Sequence, residues 1–261
     1  MMLDSAKNLL NYRSMIWNLI KREIRGRYKG SILGFFWNFI TPLVQILVYI
    51  IVFSAIFKPN LDYYAIYLTC GMIMWIYFSD SISESSWILV ANSDMLKKIY
   101  FPRSALPIAQ VLSKLVNYFI MLAIFVIIAL VTGFGLDWML LLTIIPFTLV
   151  FVIFVIGLSL ILSALDVYFR DIQYIITVAL MALIWLTPIM YARDSFDMEL
   201  LSNIITVNPM TYFVEWFHSI LYWKCLPDLT TVAVCLILSI STFIIGCFIF
   251  NKLEDNFAEV L

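Results

Sequence analysis

Residues 34–57 pass without a single charged side chain, a run of 24. A helix of roughly 20 apolar residues is enough to cross a bilayer. Apolar runs also occupy about 64–87, with Asp80 and Glu84 in its later half, 106–132, with Lys114 near its start, and 138–165, 172–191 and 229–250. In lipid the backbone must satisfy its own hydrogen bonds, so each run is expected to be an α-helix. A β-barrel would need short alternating segments, and these runs are too long and too uniformly apolar. Composition agrees: 64% of residues are hydrophobic and 13% charged, with a mean hydropathy of +1.00. Soluble domains are about half apolar and about a quarter charged. The expected fold is an all-α polytopic membrane protein, one domain over 1–261 with six transmembrane helices.

The net charge of −1 is uninformative, but its distribution is not. Thirteen basic residues fall on one side of the six runs: Lys7, Arg13, Lys21, Arg22, Arg25, Arg27, Lys29, Lys97, Lys98, Arg103, Lys114, Arg170 and Lys252. Three fall on the other: Lys58, Arg193 and Lys224. The positive-inside rule then puts both termini in the cytoplasm. The first thirty residues hold no apolar core of a cleavable signal peptide. Cys70, Cys225, Cys235 and Cys247 show no metal-type spacing and read as free thiols in apolar packing.

Four segments lie outside the runs. In the first, over 1–33, Tyr12, Ile16, Ile20, Ile24 and Tyr28 recur every four residues beside Met15 and Leu19. The cations fall mostly off that stripe, as in an amphipathic helix on the cytoplasmic interface. Lys21, Arg22, Arg25, Arg27 and Lys29 crowd nine positions, which suits a topology signal and attraction to anionic lipid. The second, 91–107, offers Asn92, Ser93 or Asp94 as caps for a short helix that ends before Pro102 and Pro107. Its apolar Met95, Ile99 and Phe101 among Lys97, Lys98 and Arg103 suggest a docking surface. The third, 166–173, is short, with Asp166 and Arg170 spaced to pair on a helix. The fourth, 192–228, reads as two short amphipathic helices split at Asn208–Pro209. It lies at the outer interface before the last run, with an aromatic belt from Tyr212 to Trp223.

Five stretches carry a family resemblance: RYKGSILGFFWNFITPL at 27–43, YFPRSALP at 100–107, YFRDI at 168–172, TPIMY at 187–191 and NPMTYFVEWFHSIL at 208–221. In this order they resemble the membrane-spanning permease subunit of ABC-type polysaccharide exporters, which export O-antigen, capsule or teichoic acid chains. At His218 relatives often carry arginine. The resemblance implies a half-transporter: two copies form the path, and two copies of a separate ATPase drive it. The sequence contains no G-x-x-x-x-G-K-[ST] loop, so ATP and Mg are expected at that partner and no cofactor on this chain. Nucleic acid is not an expected partner.

The resemblance also implies site residues. The loop after the second run would carry a coupling helix docking on the ATPase through Asp94, Lys97, Lys98, Tyr100, Phe101, Pro102 and Arg103. Asp166, Arg170 and Asp171 would form a second contact. The collar Lys21, Arg22, Arg25, Arg27 and Lys29 would receive the pyrophosphate of a polyprenyl-linked polysaccharide. For the substrate path the choice of runs follows the family. Phe35, Phe39, Pro42, Ile46, Tyr49 and Phe53 form one helical face of the first run, and Tyr174, Val178, Met181 and Trp185 one of the fifth. Aromatic rings suit the C–H faces of sugars, although packing or lipid contact would give the same pattern.

Asp80, Glu84 and Lys114 admit two readings. They line a hydrated vestibule, or the second run ends early, near Phe78. A membrane-bound enzyme is disfavoured by a lone histidine and by the absence of H-E-x-x-H and D-x-D. A secondary transporter is disfavoured by charge-free helix centres. A related ABC permease for a drug or small lipid is the nearest alternative.

Overall fold

The computed structural model describes residues 12–26, 30, 32–57, 61–98, 101–192 and 199–260, and all regular structure among them is helical. Helix α1 spans Arg13–Gly26, and a single 3-10 turn, Gly34–Phe36, leads into α2, Trp37–Phe57. Helix α3 is Tyr64–Ser86, followed by the short α4, Ile88–Ala91, and α5, Ser93–Lys98. Helix α6 is Ala105–Thr132, with Pro107 in its first turn, where no intrahelical donor is lost. The next run divides into α7, Trp138–Leu142, and α8, Ile144–Tyr168. Asp137 starts α7, its Oδ1 accepting from the N–H groups of Met139 at 3.0 Å and Leu140 at 3.3 Å. Then come α9, Ile172–Leu183, α10, Glu199–Val207, α11, Pro209–Leu221, α12, Leu229–Glu254, and α13, Phe257–Val260.

Among the described residues four helical stretches are long and apolar enough to cross a membrane: Tyr64–Ser86, Ala105–Thr132, Trp138–Tyr168 and Leu229–Glu254. Trp37–Phe53 and Ile172–Leu183 are shorter apolar helices. The expectation of one continuous helix over 172–191 is corrected. Helix α9 stops at Leu183, because Pro188 has no N–H and disfavours helical backbone at Thr187.

The bundle is held by close packing. Helix α12 lies along α8, and their axes approach at paired glycines. A Cβ on Gly157 would sit 2.5 Å from the backbone N of Phe243 and the carbonyl carbon of Thr242, and one on Gly246 would collide with the Gly157 carbonyl. Such contact of small residues drives helix association where lipid offers no hydrophobic gain. Phe147, Phe151, Phe154, Phe213 and Phe217 build an aromatic core between α8 and α11.

A second apolar cluster gathers one end of the molecule. Leu19 and Ile20 of α1, Leu89 of α4, Phe101, Val167 of α8 and Phe257 meet there. The apolar stripe of α1 is therefore covered by protein at Leu19 and Ile20. At the opposite end Tyr63, Phe134 and Tyr222 pack in sequence, with centroids 5.4 and 5.9 Å apart, and the Tyr222 hydroxyl donates to the Asp62 carbonyl at 2.6 Å. The segments expected inside thus share one end, and those expected outside share the other.

Candidate functional site

Lys21, Arg22 and Arg25, with Asn18 and Gly26, line a shallow groove of about 520 Å³ at the first end. Arg27 and Lys29, the rest of the expected collar, lie outside the described residues. Arg22 reaches across to Asn92 and α5. Its Nη2 donates to Asn92 Oδ1 at 2.9 Å, its Nη1 lies 3.4 Å from Met95 Sδ, and it pairs with Glu23 at 3.2 Å. The basic helix and the short helix α5 are thereby tied side chain to side chain.

Helix α5 is the short helix expected over this loop. Its first turn holds Asp94 and its last Lys97 and Lys98, each sign complementing the helix dipole, and all three are exposed. Tyr100 lies outside the described residues. Two neighbours assigned to docking are turned inward. Phe101 is buried in the second cluster. The Arg103 N–H donates to Glu254 Oε1 at 3.1 Å, its guanidinium donates to the Glu254 carbonyl, and it lies over the Phe257 ring. Pro102 is half-buried. Apolar and cationic residues in a loop do not reveal that the chain's own C-terminal helices cover them.

In the other short loop Asp166 is 1% exposed and presents nothing to a partner, while Arg170 and Asp171 are exposed. Phe169 between them is also exposed. An aromatic residue at the tip of a charged turn was the signal for it.

The two aromatic stripes differ. On α2, Pro42, Ile46 and Phe53 are buried, Tyr49 is half-buried and Phe39 is exposed; the Phe35 side chain is outside the described set. From Pro42 to Phe53 that stripe is therefore mainly packing against α3 and α6 rather than open lining. On α9 and the turn after it, Tyr174, Val178, Met181 and Trp185 are all exposed, at 57–68%. The stripes meet where the Phe53 and Trp185 rings lie 6.0 Å apart.

A polar cluster joins α3 and α6. Helix α3 continues unbroken to Ser86, so the helix does not end near Phe78. Lys114, 2% exposed, is ion-paired with Glu84, whose Oε2 also accepts from Gln110 Nε2 at 2.6 Å. Ser81, Ser85, Ser86 and Ser113 are buried nearby in sequence. The cluster sits where the hairpin bearing α5 at its tip begins.

At the far end the break after α9 is sealed by side chains. Asn208 Oδ1 caps α11 by accepting from the Met210 N–H at 3.0 Å. Its Nδ2 donates to the Leu186 carbonyl at 3.1 Å and to Thr187 Oγ1 at 2.9 Å. Tyr64 and Tyr67 donate to the carbonyls of Met190 at 2.9 Å and Tyr191 at 3.0 Å. An interrupted helix persists at membrane depth only when its freed carbonyls find such donors. TPIMY and NPMTYF, separate in sequence, are one structural unit.

His218 stacks on Tyr67, centroids 4.0 Å apart, with Nε2 3.0 Å from the Tyr67 carbonyl. A carbonyl only accepts, so Nε2 carries the proton and donates. Burial holds the ring neutral, its pKa pushed down to about 4 from 6.5. As pH falls through that window the unfolded ring takes up a proton first. Stability is thus present above 6.5 and lost between 6.5 and about 4, by an amount of the order of 3 kcal/mol. Thermal unfolding of the detergent-solubilised protein should show this loss, and His218→Gln should flatten it. A variant that keeps the wild-type slope would refute the assignment, since no other histidine exists.

Residues 14–222 match the ABC-2 type transporter family. The chain is also similar to the O-antigen export system permease protein RfbA of Myxococcus xanthus, 29% identical over 262 residues and 99% of each chain. Two O-antigen export system permease proteins RfbA of Klebsiella pneumoniae are 29% and 28% identical to it over 245 residues, 93% of each chain.

Proposed function

The chain belongs to the ABC-2 type transporter family, as a permease subunit and not the ATPase, and from that premise we propose the cargo and the assembly. The cargo is a lipid-linked polysaccharide, O-antigen-like and on a polyprenyl carrier, moved from the cytoplasm across a bacterial inner membrane. Similarity along the whole chain to O-antigen export permeases carries this reading. Two copies form the path, and two ATPase subunits, which bind ATP and Mg, drive it. The chain itself binds no cofactor.

The topology proposed is six spans with both termini inside, the shorter helices α2 and α9 completing the set. Segregation of the inner segments to one end and the outer segments to the other supports it. The exposed stripe Tyr174–Val178–Met181–Trp185 faces the path, joined along α2 by the exposed Phe39. The groove of Lys21, Arg22 and Arg25 receives the lipid pyrophosphate, where guanidinium groups bind phosphate in bidentate fashion. The ATPase docks on Asp94, Lys97 and Lys98 of α5 and on the tip at Phe169, Arg170 and Asp171.

Deleting the gene tests the cargo. Lipid-linked polymer should accumulate on the cytoplasmic side; normal surface polymer, or no polymer at all, would contradict export. Charge reversal tests the docking face. Lys97→Glu with Lys98→Glu should leave the permease folded but reduce polymer moved per ATP by about tenfold or more, the effect of losing a few kcal/mol of charge-assisted contact. Unchanged coupling would displace the docking surface from α5.

A further inference from the structure

Arg22 belongs to two places at once. It lines the basic groove with Lys21 and Arg25, and it holds Asn92, the residue at which α4 ends and α5 begins. Asn92 is fixed at that join by its own bonds. Its N–H donates to the Ile88 carbonyl at 3.2 Å, and its carbonyl accepts from the N–H groups of Met95 at 3.0 Å and Leu96 at 3.1 Å. Its Nδ2 donates to the Ile88 carbonyl at 2.9 Å, so Oδ1 is the atom turned to Arg22. Underneath, Leu19 and Ile20 of α1 are buried in one apolar cluster with Ile88 and Leu89 of α4, and Met95 and Leu96 of α5 pack against it. The helix that carries the guanidinium is therefore seated against the elements that it grips.

The stereochemistry of the guanidinium decides what a ligand in the groove does. It offers two edges to a bidentate acceptor, Nη1–Nη2 and Nη2–Nε, and both use Nη2. Nη1 faces Met95 Sδ at 3.4 Å while Nη2 donates to Asn92, so the first edge is turned to α5. The other hydrogen of Nη2 goes to Glu23 Oε1 at 3.2 Å, on the second edge. A phosphate in the groove competes for that second edge with a carboxylate of its own sign. Glu23 keeps 25% of its side-chain surface exposed and can turn out to water. Phosphate brings more charge and more acceptor oxygens, and Lys21 and Arg25 beside it in the groove favour it further. Asn92 is neutral and lies on the other edge, so it stays.

We propose that Arg22 is the positioning residue that reports cargo in the groove to the docking helix α5. In the structure Glu23 holds the place of an anion. When a lipid-borne phosphate, the pyrophosphate of the cargo, replaces Glu23, it fixes the guanidinium from one edge while the other edge holds Asn92. Helix α5 is thereby set for the ATPase. Phosphate binding and the placement of α5 favour each other, and by linkage the effect runs both ways. The inference rests on the groove and docking readings above and adds the residue that joins them.

The complete permease–ATPase complex, in phosphatidylcholine nanodiscs, is titrated with farnesyl pyrophosphate, a short polyprenyl pyrophosphate, and both binding and ATP hydrolysis are followed. The wild-type complex should bind it and hydrolyse ATP about fivefold faster. Asn92→Ala, outside the groove, should keep binding within about threefold and lose the acceleration. Arg22→Lys keeps the charge but not the two edges and should lose the acceleration too, which preserves the test where Asn92→Ala does not fold. Glu23→Gln should tighten binding about threefold by removing the competing charge. Binding without acceleration in the wild type, acceleration that persists in either Asn92→Ala or Arg22→Lys, or binding unchanged by Glu23→Gln overturns the relay and leaves the groove reading standing. Equal acceleration by phosphatidylglycerol overturns cargo sensing in favour of a surface lipid. If the wild-type complex binds no farnesyl pyrophosphate, the relay and the groove reading fall together.

Discussion

Replacing Gly157 with alanine is expected to cost more than about 3 kcal/mol, and replacing it with valine to abolish the folded protein. The reason is which atoms the new Cβ meets. They are backbone N and C of Phe243 and Thr242, at 2.5 Å, rather than the end of a side chain that could swing aside. Helices α8 and α12 must separate, and the packing that ties α12 to the bundle is lost. Gly246→Ala should do the same from the other side. Gly26 is the control: among the described residues nothing lies within 4 Å of its Cβ position, so Gly26→Ala should be neutral or slightly stabilising. Size-exclusion profiles and unfolding temperature in detergent decide it. A Gly157→Ala protein as stable as the Gly26→Ala control would show that the two helices do not pack this closely.

The second large effect concerns Glu84 and Lys114, and its size depends on which partner is removed. Lys114 is 2% exposed, whereas the Glu84 side chain keeps 36% of its surface. Glu84→Ala weakens the counter-charge of a cation that cannot reach water, and should cost ~3–5 kcal/mol. Lys114→Met leaves a carboxylate that water can still solvate, and should cost clearly less. The double variant Glu84→Ala/Lys114→Met should recover much of the loss, since it buries no charge. Because the pair closes the base of the hairpin that carries α5, Glu84→Ala should also lower transport per ATP. Equal costs for the two single variants would show that the lysine is not buried as described.

The sequence makes some of this structure legible and hides the rest for physical reasons. Long, predominantly apolar runs locate α3, α6, α8 and α12 to within a few residues, because bilayer thickness sets their length. Asn208–Pro209 marks the split between α10 and α11, since asparagine caps and proline begins helices. Pro188 held the signal for the break in 172–191, but uniform hydropathy masks an interruption that side chains from elsewhere repair. Burial within the bundle is not legible, because both lipid and core want apolar residues. Hence Phe53, Phe101 and Asp166 look available in sequence and are covered in the fold. Gly157 and Gly246 read as ordinary residues of apolar runs until the facing backbone is seen. The collar reads as an anion site from charge alone; that Arg22 also holds Asn92, just before α5, required coordinates.

The central claim is that this chain is a conduit moved by a partner's ATP hydrolysis. Reconstitution in proteoliposomes tests it directly, comparing the permease alone, the permease with its ATPase, and the pair without ATP, with lipid-linked glycan supplied on the ATPase side. Glycan should appear on the far side only when permease, ATPase and ATP are all present. Transfer by the permease alone, or undiminished transfer without ATP, would contradict the claim.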